Sequence, residues 1–190
     1  SLVGSEMCIR DRVRMYRDSS PKYSNKIDDR SDFLMIRTSR TSDLPVLLSL
    51  TAETFEHHKR LSSHFHPDVL TPYTLESLRQ TLDSEQHLCL TALNGDDITG
   101  YLFGKWTAPA ANRFTPVRIL NITDVGVTSS HRSSGIGRQL MQAAEELALE
   151  RGVAAVRLNV WAVNDRAATF YEELGFEPLY TSLQKSLVQQ

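Results

Sequence analysis

The sequence predicts an α/β fold with a mixed sheet, and three observations lead to that class. Short apolar segments with the two-residue period of strands alternate with segments of helical period from residue 33 onward. The pair Asn94 and Gly95 joins two strand-like segments, which is a strong hairpin signal. Two later helical segments connect strand-like segments, as crossovers do. A sheet with both a hairpin and crossovers is mixed.

Each element has its own signal in the first half of the chain. "FLMIRTS", from Phe33, is a first apolar strand. Ser42 precedes a helix with Asp43 and Pro45 in its first turn. "TLESLRQTLDS" predicts a second, shorter helix, and "QHLCLTALNGDDITGYLFGKWT" predicts the hairpin.

The second half alternates strand and helix after the loop "APAANRFTP". "RILNITDVGVT" predicts a strand, and apolar residues at helical spacing follow Gly135. "VAAVRLNVW" predicts the next strand, and a helix capped by Asn164 ends at Gly175. A short strand pair around "FEPLYTSLQKSL" completes the expected order.

Composition bounds the class of protein. The 190 residues carry a formal net charge of -2, which argues against general nucleic-acid binding. Two cysteines, Cys8 and Cys89, are too few for a disulfide framework or a four-cysteine zinc site, and Cys89 is expected in the core. No apolar run has the length of about 18 residues that a membrane span needs. We expect a cytoplasmic protein with one domain over residues 31–190.

Residues 1–30 differ from the rest of the chain. They carry many charges and no sustained apolar period, so we expect them to be disordered. "SLVGSEMCIRDR" resembles a leader that recurs at the start of translated sequencing assemblies, which indicates a segment that is not native.

The strand before the glycines predicts a β-bulge. Leu120 and Ile122 keep a period of two, as do Val125 and Val127, but three positions separate the two pairs. A single extra residue near Asp124 returns both pairs to one face.

The glycine-containing segment that follows lies at a helix N-terminus, where amide groups and the helix dipole favour an anion. A nucleotide-binding P-loop is excluded because Arg138 and Gln139 follow the last glycine instead of Lys and Ser or Thr. The dinucleotide fingerprint fails because position 140 is Leu and no acid stands about 20 residues further on. Alone, the glycine pair fits an anion site or a plain turn.

Two ordered motifs give the chain a resemblance. R-x-x-G-x-G occurs at Arg132, Gly135 and Gly137. N-x-x-A-x-x-F-Y-x-x-x-G-F follows in full from Asn164 to Phe176. Over residues 33–188 the chain resembles the GCN5-related N-acetyltransferase (GNAT) family, which implies a mixed sheet of about six to seven strands, about four helices and a bulge in the fourth strand.

The resemblance also implies a cofactor and site residues. Acetyl-CoA would be the acyl donor, with its pantetheine arm on the backbone of Val125, Gly126 and Val127, and Asn164 would also contact it. Tyr171 would protonate the leaving thiolate. The pyrophosphate would lie on one continuous run: Arg132, Ser133, Ser134, Gly135, Ile136, Gly137 and Arg138.

The proton acceptor and the substrate stay open in the sequence. Many relatives have Glu where this chain has Thr123, so Asp124 is the leading general base, with binding of a cationic acceptor as its other reading. Four histidines at 57, 58, 64 and 66 invite a metal hypothesis, but we expect no metal, and one of them, Phe65 or Asp68 could contact the acceptor.

We expect direct acetyl transfer to a primary amine of a small molecule. A protein or peptide acceptor and a non-catalytic CoA-binding regulatory domain are the alternatives. No nucleic-acid or membrane partner is expected, and a homodimer is left open.

Overall fold

The computed structural model describes residues 34–62, 64, 65, 67–107, 118–185 and 187. The leader expected at residues 1–30, residue 33 and the loop predicted at residues 108–116 lie outside the described residues. The chain divides into two compact units between Asn159 and Val160, and each is described by itself.

The first unit contains a five-stranded sheet in the order β1-β2-β3-β4-β5. The first four strands are antiparallel neighbours, whereas β4 and β5 are parallel, so the predicted mixed sheet is confirmed. The strands are β1 (Leu34–Thr38), β2 (His87–Asn94), β3 (Asp97–Thr107), β4 (Ile119–Val127) and β5 (Ala155–Arg157).

Four α-helices accompany the strands in the described residues. They are α1 (Leu44–Leu61), α2 (Leu75–Asp83), α3 (Ile136–Glu150) and, in the second unit, α4 (Asp165–Glu172). Pro45 lies in the first turn of α1, where its missing N–H costs nothing. The Thr74 side chain caps α2 by accepting the N–H of Ser77 at 3.1 Å. None of the helices in the described ranges is both long and apolar enough to cross a membrane.

Two neighbouring residues of β3 show which helices cover each face of the sheet. A Cβ atom on Gly100 would lie 3.0 Å from Ile136 Cγ2 and 3.3 Å from Leu140 Cδ1, so α3 covers that face. Tyr101 points to the opposite face, since successive strand residues alternate. There it packs with leucines of α1 and α2 and with Cys89, whose thiol pKa burial raises to about 12. The expected core position of Cys89 is confirmed.

The strand count is lower than expected. The described part of the chain has five strands, not six to seven, and residues 176–185 form no strand pair there. Pro178 lies in that segment and lacks the N–H that a ladder needs. β5 is also shorter than its apolar pattern predicted. It ends at Arg157, the last of its residues that pairs with β4.

Candidate active site

The β-bulge in β4 decides where Asp124 points. Ile122 pairs with Gly104 and Asp124 pairs with Phe103, so Thr123 is the extra residue. The Thr123 hydroxyl donates a hydrogen bond of 3.2 Å to the Phe103 carbonyl oxygen. Because directly paired residues share a face, the bulge brings Asp124 to the face covered by α1 and α2. The bulge predicted near Asp124 is confirmed.

The Asp124 carboxyl group lies beside two tyrosines. Burial raises the pKa of Asp124 to about 6, although the hydroxyls of Tyr101 and Tyr73 and the N–H of Val125 lower it by favouring the ionised form. A carboxyl group with this pKa is ionised at neutral pH and is still basic enough to take a proton. The site therefore contains a group with the properties of a general base.

The two phenols respond in the opposite direction. Burial and then the charge of Asp124 raise the pKa values of Tyr73 and Tyr101, so both remain protonated near neutrality. The Tyr101 hydroxyl is buried and meets no partner at full hydrogen-bond geometry among the described residues. Its effect on Asp124 is thus a short-range electrostatic one and not a well-formed hydrogen bond.

Gly126 lets β4 approach the tyrosine closely. A Cβ atom at this position would lie 2.3 Å from Thr54 Oγ1 and 2.4 Å from Tyr101 Cε1. Tyr101 is fully buried and Thr54 is buried on α1, so neither can withdraw easily. Glycine at 126 is therefore a packing requirement, two residues from the carboxylate.

The second half of β4 has an open edge in the described part of the structure. β5 pairs only with Ile119, Leu120 and Asn121, whereas β3 follows β4 as far as Val127. Among the described residues, β4 therefore has no strand paired to it beyond Asn121 on the side away from β3. An extended chain with amide groups can add to such an edge by backbone hydrogen bonds.

The glycine loop combines two left-handed residues with a helix start. Ser133 has φ of 65° and Gly135 has φ of 87°. Gly135 is the N-cap of α3, and the first amide bonded within the helix is that of Gln139, which donates to the Gly135 carbonyl oxygen at 3.1 Å. The amides of Ile136 and Gly137 therefore precede the helical hydrogen-bond ladder. A Cβ on Gly135 would meet nothing within 4 Å, so the backbone there is open to a ligand.

Arg132 connects this loop to the rest of the unit. Its Nε donates to the Val127 carbonyl oxygen at 3.3 Å, and its NH2 lies 3.6 Å from Oε1 of Glu53. The same Glu53 oxygen accepts the backbone N–H of Ser129 at 2.8 Å. These groups line a surface hollow of about 240 Å³ that also includes Glu56, His57 and Arg60.

The second unit carries the other predicted motif. Asn164 caps α4, since its Oδ1 accepts the N–H of Ala167 at 3.2 Å. The ring of Tyr171 packs edge-on against Phe170 and Phe176, at centroid distances of 5.0 and 5.7 Å. Gly175 has φ of 86° in the turn after the helix, as the predicted helix end requires.

The histidines have individual partners. His58 stacks on Phe65 with centroids 5.7 Å apart, and His64 Nδ1 shares a hydrogen bond of 2.8 Å with the Ser62 hydroxyl. His66 lies outside the described residues. In the ranges that the structure describes, no three His, Cys, Asp or Glu side chains are grouped so that they could hold a metal ion.

Sequence reasoning missed the residues that surround Asp124. Tyr73 lies in a loop and Tyr101 in the middle of a strand, where an aromatic residue ordinarily packs in the core. Glu53 lies 76 residues from Ser129, and no local pattern relates them. The one available signal was the bulge, because it predicts that Asp124 turns away from the face that Leu120 and Ile122 share.

Known proteins resemble this chain in both sequence and fold. A model of the Acetyltransferase (GNAT) family matches residues 51–176. The uncharacterized N-acetyltransferase YycN of Bacillus subtilis (strain 168) is 24% identical over 159 residues, covering 81% of this chain and 99% of that protein. A crystal structure of a mutant BH1408 protein from Bacillus halodurans has a TM-score of 0.76 at 21% identity, covering 81% of this chain and 99% of its own.

A further solved structure contains the coenzyme. It is the aminoglycoside N-acetyltransferase AAC(6')-Iy in complex with CoA, with a TM-score of 0.64 at 16% identity, covering 84% of this chain and 98% of its own. At such identities the solved structures show the fold, whereas the family model covers more than half of this chain. The family match identifies this chain as an acyltransferase. The chain belongs to the GNAT acetyltransferase family and is an N-acetyltransferase.

Proposed function

We propose that this protein transfers an acetyl group from acetyl-CoA directly to the primary amine of a small molecule. The observation that carries this proposal is the Asp124 carboxyl group with a pKa of about 6, held by a bulge beside an open strand edge. The family uses acetyl-CoA, and the AAC(6')-Iy structure contains CoA.

The described residues fit the coenzyme at two places. The open edge beside Val125, Gly126 and Val127 suits an extended arm with amide groups. The backbone at Gly135, with open space where a side chain would be, suits a pyrophosphate at a helix N-terminus. The run from Arg132 to Arg138 would hold that group, and Asn164 would contribute as the motif implies.

Bound acetyl-CoA supplies an acetyl group activated as a thioester. Asp124 attracts the ammonium form of the acceptor and takes the proton that the amine must lose before it can attack. A backbone N–H near the bulge polarises the carbonyl group. Tyr171, assigned by its motif, donates a proton to the departing sulfur. The N–C bond to the acetyl carbon forms as the C–S bond breaks. The nitrogen loses two protons in all, the first to Asp124 before attack and the second once the N–C bond has formed, and the second replaces the proton that Tyr171 gives to the sulfur. Asp124 releases its proton to solvent, so the products are the N-acetyl amine, the CoA thiol and one proton.

A small amine is the proposed acceptor because the carboxylate is enclosed. Tyr73, Tyr101 and Phe103 pack on the Asp124 side of β4, and the carboxyl group is buried among them, which favours a small cationic group over a bulky chain. Two solved structures with this fold are those of aminoglycoside acetyltransferases, whose names give an aminoglycoside as the acceptor. Aminoglycosides therefore belong in the first test.

The test is release of free CoA thiol from acetyl-CoA across amino acids, polyamines, aminoglycosides and short peptides. Wild type should show acceptor-dependent release, and Tyr171→Phe should reduce it about 10²- to 10⁴-fold, as loss of a general acid does. Tyr180→Phe, at an exposed tyrosine of the same unit, is the matched control and should leave the rate unchanged.

Other results would redirect the proposal. Release with peptides alone would replace the small-molecule acceptor by a protein acceptor. CoA binding without release on any amine would favour a regulatory CoA-binding domain.

A further inference from the structure

One side chain of α1 reaches the segment that joins β4 to the glycine loop. Oε1 of Glu53 accepts the N–H of Ser129 at 2.8 Å and lies 3.6 Å from the NH2 group of Arg132. Ser129 opens a short 3-10 turn, Ser129–His131, directly before that loop. A single oxygen atom therefore holds both ends of the connecting segment.

The hydrogen bond is the stronger of the two contacts. A backbone N–H bonded to a carboxylate is charge-assisted and short. The ion pair is longer, and its side chains are 38% and 30% exposed for Glu53 and Arg132, so water screens much of its energy. Its role is mainly orientation, because the same guanidinium also donates to the Val127 carbonyl oxygen at the end of β4.

The loop needs such support. Ser133, with φ of 65°, is the one described non-glycine residue in the left-handed region. A residue with a side chain stays in that region when the surrounding structure imposes it. The neighbouring Thr54, on the same turn of α1, packs against Gly126 and Tyr101. Thus α1 supports both the strand and the loop of the coenzyme site.

We infer that Glu53 is a positioning residue for the pyrophosphate-binding loop. It fixes Ser129 and Arg132, and so presents the amides at the start of α3 in the conformation that binds the anion. The inference rests on the proposed function, since it presupposes that coenzyme A binds there. It predicts a selective effect: ligands that contain the pyrophosphate depend on Glu53, and those that lack it do not.

The test compares CoA with pantetheine, which lacks the pyrophosphate, using calorimetry for CoA and ligand-observed NMR for pantetheine. Glu53→Ala should weaken CoA binding about 5- to 20-fold, as loss of a charge-assisted hydrogen bond does, and leave pantetheine within about twofold. Glu53→Gln keeps an oxygen that can accept the Ser129 N–H and should lie between Ala and wild type. Glu56→Ala is the matched control, because Glu56 lines the same hollow but pairs with Lys59 and Arg60 of its own helix.

The outcomes separate this inference from the proposed function. Wild type that binds no CoA would overturn the proposed function and the inference with it. Wild-type CoA binding that Glu53→Ala leaves unchanged would overturn the inference alone. An equal loss of CoA and pantetheine binding, or a loss equal to that of Glu56→Ala, would also overturn it, since a general disturbance does not distinguish the two ligands.

Discussion

The two halves of β4 are built for different purposes. Residues 119–122 pair with β3, and Ile119, Leu120 and Asn121 also pair with β5. Leu120 and Ile122 are buried there. Residues 124–127 pair with β3 alone in the described part of the structure, and they contribute a carboxylate and a glycine. We call residues 119–122 the scaffold half of β4 and residues 124–127 its site half.

The difference shows what a single inserted residue achieves. Thr123 changes the phase, so that Asp124 and Gly126 point toward α1 and α2 while Val125 and Val127 remain on the α3 face. Without the insertion, Asp124 would share the face of Ile122 against α3. The two halves therefore differ in which alternate residues face α1 and α2, as well as in the strands with which they pair.

The largest expected effect is on kcat/KM, after substitution of Asp124 in the site half. Asp124→Asn removes the proposed base without changing its shape and should lower kcat/KM about 10²- to 10⁴-fold. In wild type, kcat/KM should rise with pH and be half-maximal near pH 6, because the base acts when deprotonated and its pKa is about 6. This limb of the profile should be absent in the variant. Rates across pH 5–9 provide the measurement.

A control separates chemistry from charge. Asp97→Asn, at the exposed start of β3, removes a carboxylate of the same unit and should keep the wild-type profile. A wild-type profile in Asp124→Asn would show that the base is another group.

The next effect compares Gly126, in residues 124–127 of β4, with Gly104 of β3, which pairs with Ile122 in residues 119–122. A Cβ at Gly126 would overlap Thr54 and the Tyr101 ring, whereas one at Gly104 would meet mainly Leu120 Cδ1 at 2.8 Å, the end of a flexible side chain. Gly126→Ala should therefore reduce the free energy of unfolding by about 2–3 kcal/mol and Gly104→Ala by about 1 kcal/mol. Chemical denaturation of both variants measures this. Equal losses would show that the site half is no more tightly packed than the scaffold half.

The sequence predicted more of the fold than of the candidate site. The helices of the first unit, the hairpin and the bulge follow from local periodicity and turn chemistry, which act over a few residues. The hairpin turn itself is formed by Gly95 and Asp96, one residue later than predicted, because Asn94 still pairs with Asp97. Tyr73 and Glu53 were not predicted, because their contacts depend on how α1 and the loop before α2 pack onto β4. The short β5 was missed for a similar reason, since a strand ends where pairing with its neighbour ends and not where its apolar pattern ends.

The smallest expected effect is on the free energy of unfolding, which the buried carboxylate of Asp124 lowers. The pKa of Asp124 is about 6 in the folded protein, above its ordinary value of 3.8, so the folded state retains a proton that the unfolded chain has already released between about pH 4 and pH 6. Folding is therefore most favoured by this group below pH 4, and that stability is lost as pH rises through 6. Asp124→Asn removes the cost of the buried charge, and its free energy of unfolding should exceed that of wild type by on the order of 2 kcal/mol at pH 8, with little difference at pH 4. Urea denaturation at both pH values measures the gap. A difference in free energy of unfolding that is the same at pH 4 and pH 8 would contradict the raised pKa of Asp124. A difference that grows between these pH values would show that the buried carboxylate lowers stability, as expected of a residue that serves the site and not the scaffold.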